Sequence, residues 1–395
     1  VQYGVQRNHR EEYDAHRAYN DSLAALNRPA FALTLVSHSV EARFHHRPAR
    51  RFFGVVGVSG MNQLNVNGRS GFLIPNFRAF SGGVFVRETW AAERMQIEAG
   101  ARYDFRWVRA WPRENGGSGA FVRHVNDYGS VSAAIGSIWS LAPSWSLSMN
   151  IGSAWRPPSV NEQYNFGVHH GTAQFEIGSP DLRAERSFGQ DVTLRHDGAR
   201  ARSEVSLYHT AFKRFIFLYP DTEPRVTIRG TFPTFHYEQA DARLIGFDGS
   251  AEYDLTPALT LGLVASVVRG ENIDADEPLV YMPGDRWRAV AHLNLPEGDV
   301  LIHPHLEAEV LHVARQSRYT AGVDYVDPPP GYTLFNASCA LDVAMQRSSV
   351  HVHLSVHNVF DTAYRDYLSR FRYFVDDPGR SIILRISMPI GPSRT

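Results

Sequence analysis

From Met95 to Trp107 the chain alternates without a break. Met95, Ile97, Ala99, Ala101, Tyr103, Phe105 and Trp107 take one parity, and Gln96, Glu98, Gly100, Arg102, Asp104 and Arg106 the other. Alternate side chains of an extended strand point to opposite faces, so this segment is a ribbon with one apolar and one charged face. Its thirteen residues exceed the roughly 5–6 of an ordinary strand and cover the roughly 9–11 that a tilted strand needs to cross a bilayer. The pattern returns along the chain. Val350, Val352, Leu354 and Val356 alternate with His351, His353, Ser355 and His357. Val300, Ile302, Leu306, Ala308 and Val310 stand opposite His303, His305, Glu307 and Glu309, and Trp145, Leu147, Met149 and Ile151 alternate with Ser146, Ser148 and Asn150. A wall that is apolar outside and polar inside is what a water-filled or plugged membrane barrel requires.

Composition agrees. Forty basic residues balance 41 acidic ones, which argues against a general nucleic-acid binder. Mean hydropathy is −0.29, and no run approaches the roughly 20 apolar residues of a membrane helix. Alternating strands average to such a value, so a membrane barrel stays open. Aromatics at 12% suit interfacial girdles. The single cysteine, Cys339, allows no intramolecular disulfide and no thiolate cluster; inside a strand-like run it reads as a small apolar residue. The chain opens on Val1-Gln2-Tyr3-Gly4-Val5, already strand-like and without a signal peptide. The expectation is a chain that has lost its leader or begins inside a longer precursor.

Strand patterning predicts sixteen strands, at 1–14, 30–47, 51–66, 79–92, 94–110, 124–140, 144–155, 186–197, 200–218, 235–254, 258–272, 282–295, 299–315, 331–346, 348–358 and 378–390. Their connections alternate in length. Short ones include Arg47-Pro48-Ala49-Arg50, Ala142-Pro143, Asp197-Gly198-Ala199, Leu255-Thr256-Pro257, Pro296-Glu297-Gly298 and Gln346-Arg347. Long ones fall near 15–29, 67–78, 111–123, 156–185, 219–234, 273–281, 316–330 and 359–377. Bacterial barrels have short periplasmic turns and long extracellular loops, whereas a soluble sandwich has no reason to sort its loops by parity. The expected fold is therefore all-β, an antiparallel transmembrane β-barrel over 1–395, with its C-terminus on the periplasmic side of a Gram-negative outer membrane.

Four segments carry a family resemblance. Ser153-Ala-Trp-Arg-Pro-Pro-Ser-Val-Asn-Glu-Gln-Tyr164 is similar to the W-R-x-P-x-x-x-E element of TonB-dependent outer-membrane receptors, and Gly178-Ser-Pro-Asp-Leu-Arg-Ala-Glu-Arg-Ser187 to their G-N-P-x-L-x-x-E-x-S element. His357-Asn-Val-Phe-Asp-Thr-Ala-Tyr364 resembles their N-V-F-D-x-x-Y element, and Gly100-Ala-Arg-Tyr-Asp104 their G-x-R-Y-D strand. A narrower resemblance, to the zinc/haem-type branch, rests on Leu73-Ile-Pro-Asn76, Gly167-Val-His-His-Gly171, Phe235-His-Tyr-Glu-Gln-Ala-Asp-Ala242 and Met282-Pro-Gly-Asp-Arg-Trp287. The resemblance implies a barrel of about 22 strands with a plugged lumen. Sixteen strands would then be the C-terminal part of the barrel, with the N-terminal plug, the TonB-binding box and about six strands lying outside this sequence. The family's terminal aromatic is absent, and the tail Ser387–Thr395 replaces it.

Eighteen histidines make metal chemistry the natural candidate, since imidazole suits zinc, iron and copper. In the longest expected loop, His169 and His170 with Glu176, and His236 beyond it, are candidates for substrate or metal capture. The bland alternative is a solvated polar loop, because no close H-x-H or H-x₃-H pair supports a ligand set there. His303, His305, His351, His353 and His357 are expected to face the lumen, either as metal stepping points or, more simply, as polar wall residues. His45 and His46 lie among Arg43, Arg47, Arg50 and Arg51 and read as a membrane-edge anchor. Glu162 and Glu185 are expected to hold loop bases by pairing with nearby Arg156, Arg183 or Arg186, and Asp285 and Arg286 to act similarly.

No G-x-S-x-G, P-loop or H-E-x-x-H occurs, so no enzyme is expected. The expected function is active import of a metal or metal complex: zinc, haem or a ferric siderophore as cargo, and no permanent cofactor. Energy would come from the TonB–ExbB–ExbD complex through the plug, and the remaining partner is outer-membrane lipid. The alternative is a passive 16-stranded diffusion porin; a barrel adhesin is a weaker third.

Overall fold

The computed structural model describes residues 1–13, 29, 31–49, 51–67, 73–113, 119–227, 230–345 and 349–388. One sheet of nineteen strands dominates, with a separate two-stranded ribbon. Its wall is an antiparallel meander. The first seven wall strands are β1 (Gln2–Glu12), β2 (Phe31–Ala49), β3 (Phe52–Asn67), β4 (Asn76–Ala91), β5 (Met95–Trp111), β6 (His124–Ala142) and β7 (Trp145–Arg156). Two short strands follow, β8 (Phe166–His169) and β9 (Gln174–Ile177), before the wall resumes with β10 (Glu185–Asp197) and β11 (Ala201–Pro220). The ribbon is β12 (Arg225–Thr227) with β13 (Gly230–Phe232). The remainder are β14 (Thr234–Asp254), β15 (Leu259–Asn272), the short β16 (Glu277–Pro278), β17 (Arg286–Asn294), β18 (Leu301–Val313), β19 (Tyr332–Ala344), β20 (Ser349–His357) and β21 (Ser381–Ser387). Each wall strand pairs with the next wall strand in the chain.

Every expected strand overlaps a wall strand. The sheet's total exceeds sixteen because β8, β9 and β16 are short pieces carried on loops. Among the described residues β1 pairs only with β2, and β21 only with β20, so each has one unpaired edge.

The alternation becomes a two-faced wall. On the outer face large apolar side chains stand exposed: Val84 is 54% exposed, Val131 60%, Ile135 52% and Leu263 51%. Water-soluble domains rarely expose so many large apolar side chains on one face. On β5, Ile97 to Trp107 is ten residue steps, about 33 Å at about 3.3 Å each. A tilt of about 40° reduces this to about 25 Å, the height of the apolar band of an outer-membrane barrel. The inner face is polar and cross-linked. Arg102 donates from Nε to Asp104 Oδ1 at 2.6 Å and from Nη2 to Ser59 Oγ at 2.6 Å.

One expected face is corrected. Ile302 does not share a face with Leu306. Pro304 has no N–H for the ladder, and the pairing of β18 with β19 slips between Ile302 and His305 while His303 takes φ +48°. Ile302 therefore stands opposite Asp342, on the inner side, and Leu301 turns outward at 46% exposure.

The wall makes a direct prediction. Ile135 lies mid-band between Ala99 and Ile151. Ile135→Arg is expected to destabilise the barrel by about 2–4 kcal/mol, read from denaturant unfolding in lipid vesicles. A change within error would place this face away from lipid.

Candidate functional site

The connection from β7 to β10 is built by local rules. Pro157 and Pro158 end the strand by removing two ladder donors. Ser159 then caps a single helical turn, α1 (Val160–Tyr164), in a capping box: Ser159 Oγ accepts from Glu162 N, and Glu162 accepts from Ser159 N at 2.7 Å. Val160 and Tyr164 pack on Ala79, Val108 and Ala110 of the inner wall, and Asn126 Nδ2 donates to the Tyr164 hydroxyl at 2.8 Å. The helix thus folds inward against β4 and β5. Ala79 and Ala110, each 1% exposed, are small enough to let it approach.

The loop base is ionic. Arg156 donates to both Glu162 oxygens at 2.9 and 3.0 Å, and to both Glu185 oxygens at 3.2 Å. Glu185, 8% exposed, also accepts from Ile216 N at 2.8 Å. Asp285 pairs with Arg269, at 2.6 and 2.8 Å, while its neighbour Arg286 reaches Asp366 at 2.9 Å. Asp285 and Arg286 thus tie two different neighbours at the base of their own loop.

Beyond α1 the chain forms the β8–β9 hairpin, closed by a 3-10 turn at His170–Thr172. Here His169 and Glu176 meet. Glu176 is 6% exposed. One of its oxygens bonds His169 Nδ1 at 2.9 Å, and the other accepts from Asn165 Nδ2 at 3.0 Å. An ionised carboxylate only accepts, so Nδ1 carries the proton and neutral His169 presents its lone pair on Nε2. The hydrogen bond to Glu176 raises the His169 pKa above its usual 6.5, against the opposing effect of burial; Glu12 adds to the rise and Arg10 opposes it. Arg10 and Glu12 belong to β1, so the hairpin tip lies within electrostatic reach of that wall strand. Asn165 Oδ1 and Gln174 Nε2 are buried beside this pair without partners.

The other candidates divide. The side chain of His170 lies outside the described residues. His236 is in register with Ile177, while Phe235 is in register with Glu176. His236 therefore takes the opposite face from the His169–Glu176 pair, where it bonds Glu238 at 2.8 Å and lies 5.7 Å from the Tyr219 ring. On β18–β20, His303 and His351 both bond Asp342, at 3.3 and 2.8 Å. His305 faces the same inner side, 5.0 Å from the His292 ring, and His353 and His357 share the inner parity of β20. Among the described residues no group of three or more His, Cys, Asp or Glu stands ready to hold a metal ion.

Sequence reasoning missed an aromatic cluster next to the hairpin, around Phe235. Phe235, 0% exposed, lies under the rings of Tyr281, Tyr325 and Tyr373, 6.0–6.4 Å away. Arg372, 2% exposed, stacks on Tyr281, Tyr367 and Tyr373 at 4.6–5.1 Å and is paired with Asp324. Burial pushes the Tyr281 and Tyr373 hydroxyls above their ordinary pKa. The available signal was the density of Tyr and Arg in Tyr364–Tyr373, which names no partner.

Two outcomes follow. Arg156→Ala leaves the buried Glu185 without its counter-ion, holding only the Ile216 N–H, and is expected to cost about 1–3 kcal/mol of local stability, seen as faster hydrogen exchange across 157–184. Because the folded pKa of His169 is raised, the added stability of the charged pair is fully present below about pH 6.5 and is lost as pH rises through the folded value, which leaves the neutral Nδ1–H bond to Glu176. Protection of 166–177, corrected for intrinsic rates, is expected to be weaker at about pH 9 than at about pH 6, and Glu176→Gln to remove the difference. Equal protection of the wild type at both values would contradict the pairing.

Comparison with known proteins bears on this architecture. A family model described as "TonB dependent receptor-like, beta-barrel" matches residues 3–359. The iron-regulated outer membrane virulence protein of Vibrio cholerae is 22% identical over 216 residues, 52% of this chain and 30% of that protein. The heme/hemopexin utilization protein C of Haemophilus influenzae is 22% identical over 247 residues, 58% of this chain and 34% of that protein. Among solved structures, the copper transporter OprC superposes with TM-score 0.73 at 20% identity, over 97% of this chain and 61% of that one. The FrpB iron transporter from Neisseria meningitidis gives 0.69 at 15%, over 97% and 58%. The aligned part of this chain thus spans about a third of the curated relatives' length and about 60% of the solved chains.

Proposed function

We propose a function from one premise: the chain belongs to the TonB-dependent receptor family of β-barrels in the Gram-negative outer membrane. The proposed role is capture and active import of a metal complex, with the wall and the loop 157–184 forming the capture side. A plug within a barrel of about 22 strands would gate passage, and the TonB–ExbB–ExbD complex would supply the energy.

The observation that carries this reading is the geometry of His169. Its Nδ1 is held by the buried Glu176, which leaves Nε2 as the coordinating atom. A carboxylate behind an imidazole is how metal sites fix the tautomer and raise ligand basicity. Yet one imidazole cannot retain a bare zinc ion, whose sites use three or four protein ligands, and no such group surrounds it among the described residues. The cargo that fits brings its own ligands and leaves one position open, as haem does. This favours a metal chelate, with haem foremost, over free zinc. His303, His305, His351, His353 and His357 are proposed as inner-wall residues past which the cargo moves, and His236 as a loop residue outside the capture pair.

The porin alternative is less well supported. A closed 16-stranded barrel would pair β1 with β21, and no such pairing occurs among the described residues.

Hemin titration of the purified protein tests the proposal. The wild type is expected to give a histidine-ligated absorption spectrum. His169→Ala is expected to lose that spectrum and bind at least about tenfold more weakly. An unchanged spectrum in His169→Ala, or tight one-to-one binding of bare zinc ion through His169, would overturn the chelate reading. Uptake at the wild-type rate in cells lacking the energy-transducing complex would overturn the active-transport reading.

A further inference from the structure

The outer face of β4 and β5 changes character at its extracellular end. Phe80 and Trp107 are in register, and the next outward pair above them is Arg78 and Arg109, directly opposite one another. Opposed side chains on a sheet face have Cβ atoms about 4.5–5.5 Å apart, and like charges there repel. Neither arginine has a carboxylate partner among the described residues. Arg78 is exposed. Arg109 stacks over the Trp107 ring at 5.0 Å, with its Nε buried and unbonded. A second like-charged pair, Arg186 opposite Lys213, stands on β10 and β11 directly above Phe188, which is 49% exposed; there Asp241 compensates Lys213.

Height identifies what this arginine pair meets. Arg109 is two residues beyond Trp107, so it rises about 5 Å above the apolar band. That is headgroup level on the extracellular side. Below it, Phe80 and Phe105 offer apolar rings 5.6 Å apart. An occupant that satisfies both levels carries an anionic group with several acceptor oxygens above and acyl chains below. Guanidinium forks match phosphate oxygens two at a time, and one phosphate between the two forks turns their mutual repulsion into attraction.

We propose that Arg78 and Arg109 bind a phosphate group of the phosphorylated glycolipid that forms the outer leaflet of the outer membrane. The pair ties this side of the barrel to one lipid and fixes the depth of β4 and β5 in the leaflet. The site is separate from the cargo path, because both side chains point away from the lumen.

The test is lipid binding to the intact protein purified from an outer membrane and delipidated in mild detergent, followed by native mass spectrometry. Diphosphorylated glycolipid is expected to bind at least about tenfold more tightly than the same glycolipid stripped of phosphate. Arg78→Gln with Arg109→Gln is expected to abolish that difference, and Arg78→Lys with Arg109→Lys to retain only part of it, because lysine keeps the charge and loses the fork. Equal binding of the stripped glycolipid to the wild type overturns the phosphate assignment, whatever the variants do. Equal binding of phosphatidylglycerol, or of inorganic phosphate alone, overturns the glycolipid assignment. A glutamine variant that still discriminates places the site elsewhere.

Discussion

A backbone amide in hydrocarbon has no water to turn to, and each one left unpaired costs several kcal/mol. The rest of this structure follows from that constraint. It makes the antiparallel ladder continuous from β1 to β21, and it confines irregular backbone to the two ends of the wall. The helical turn α1 and the 3-10 turn at His170–Thr172 lie beyond the extracellular ends of wall strands, and the kink at Arg214, with φ +59°, falls within β11 level with the extracellular end of β10. The slip at His303 lies at the opposite rim. Chemistry that needs unusual backbone can be built only where the hydrocarbon stops.

Within that freedom the loops are ordered by ordinary means. Two prolines and a capping box start α1, a four-point ion pair at Arg156 holds both ends of the loop, and alanines on the inner wall receive the helix. The hairpin then joins β14 in parallel through Thr234–His236. The His169–Glu176 pair and the aromatic cluster are therefore parts of one assembly, because Phe235 contributes its backbone to the first and its ring to the second. The buried Arg372 is stabilised there by Asp324 and by three tyrosine rings.

The wall was legible in the sequence because period-two alternation is a local signal that repeats in every strand, and loop parity added orientation. The ion pair of Arg156 with Glu162 is within reach of the sequence too, since only six positions and a helical turn separate them. What could not be read depends on register between distant segments. His169 meets Glu176 only because β8 and β9 pair, and His236 misses them only because β9 lies parallel to β14. Ile302 was assigned to the wrong face because simple alternation takes no account of the ladder donor missing at Pro304. The Arg372 cluster joins residues up to 138 positions apart, from Phe235 to Tyr373.

The two bare edges carry an arithmetic consequence. β1 runs outward toward the long connection after Glu12, and β21 runs inward from the long connection before Ser381. The edges are thus oppositely directed. If the gap between them is bridged with every neighbour antiparallel, the number of bridging strands is even, zero included. An odd insertion would force one parallel contact into the ring. Direction alone therefore restricts how this sheet can be closed, whatever sequence supplies the closing strands.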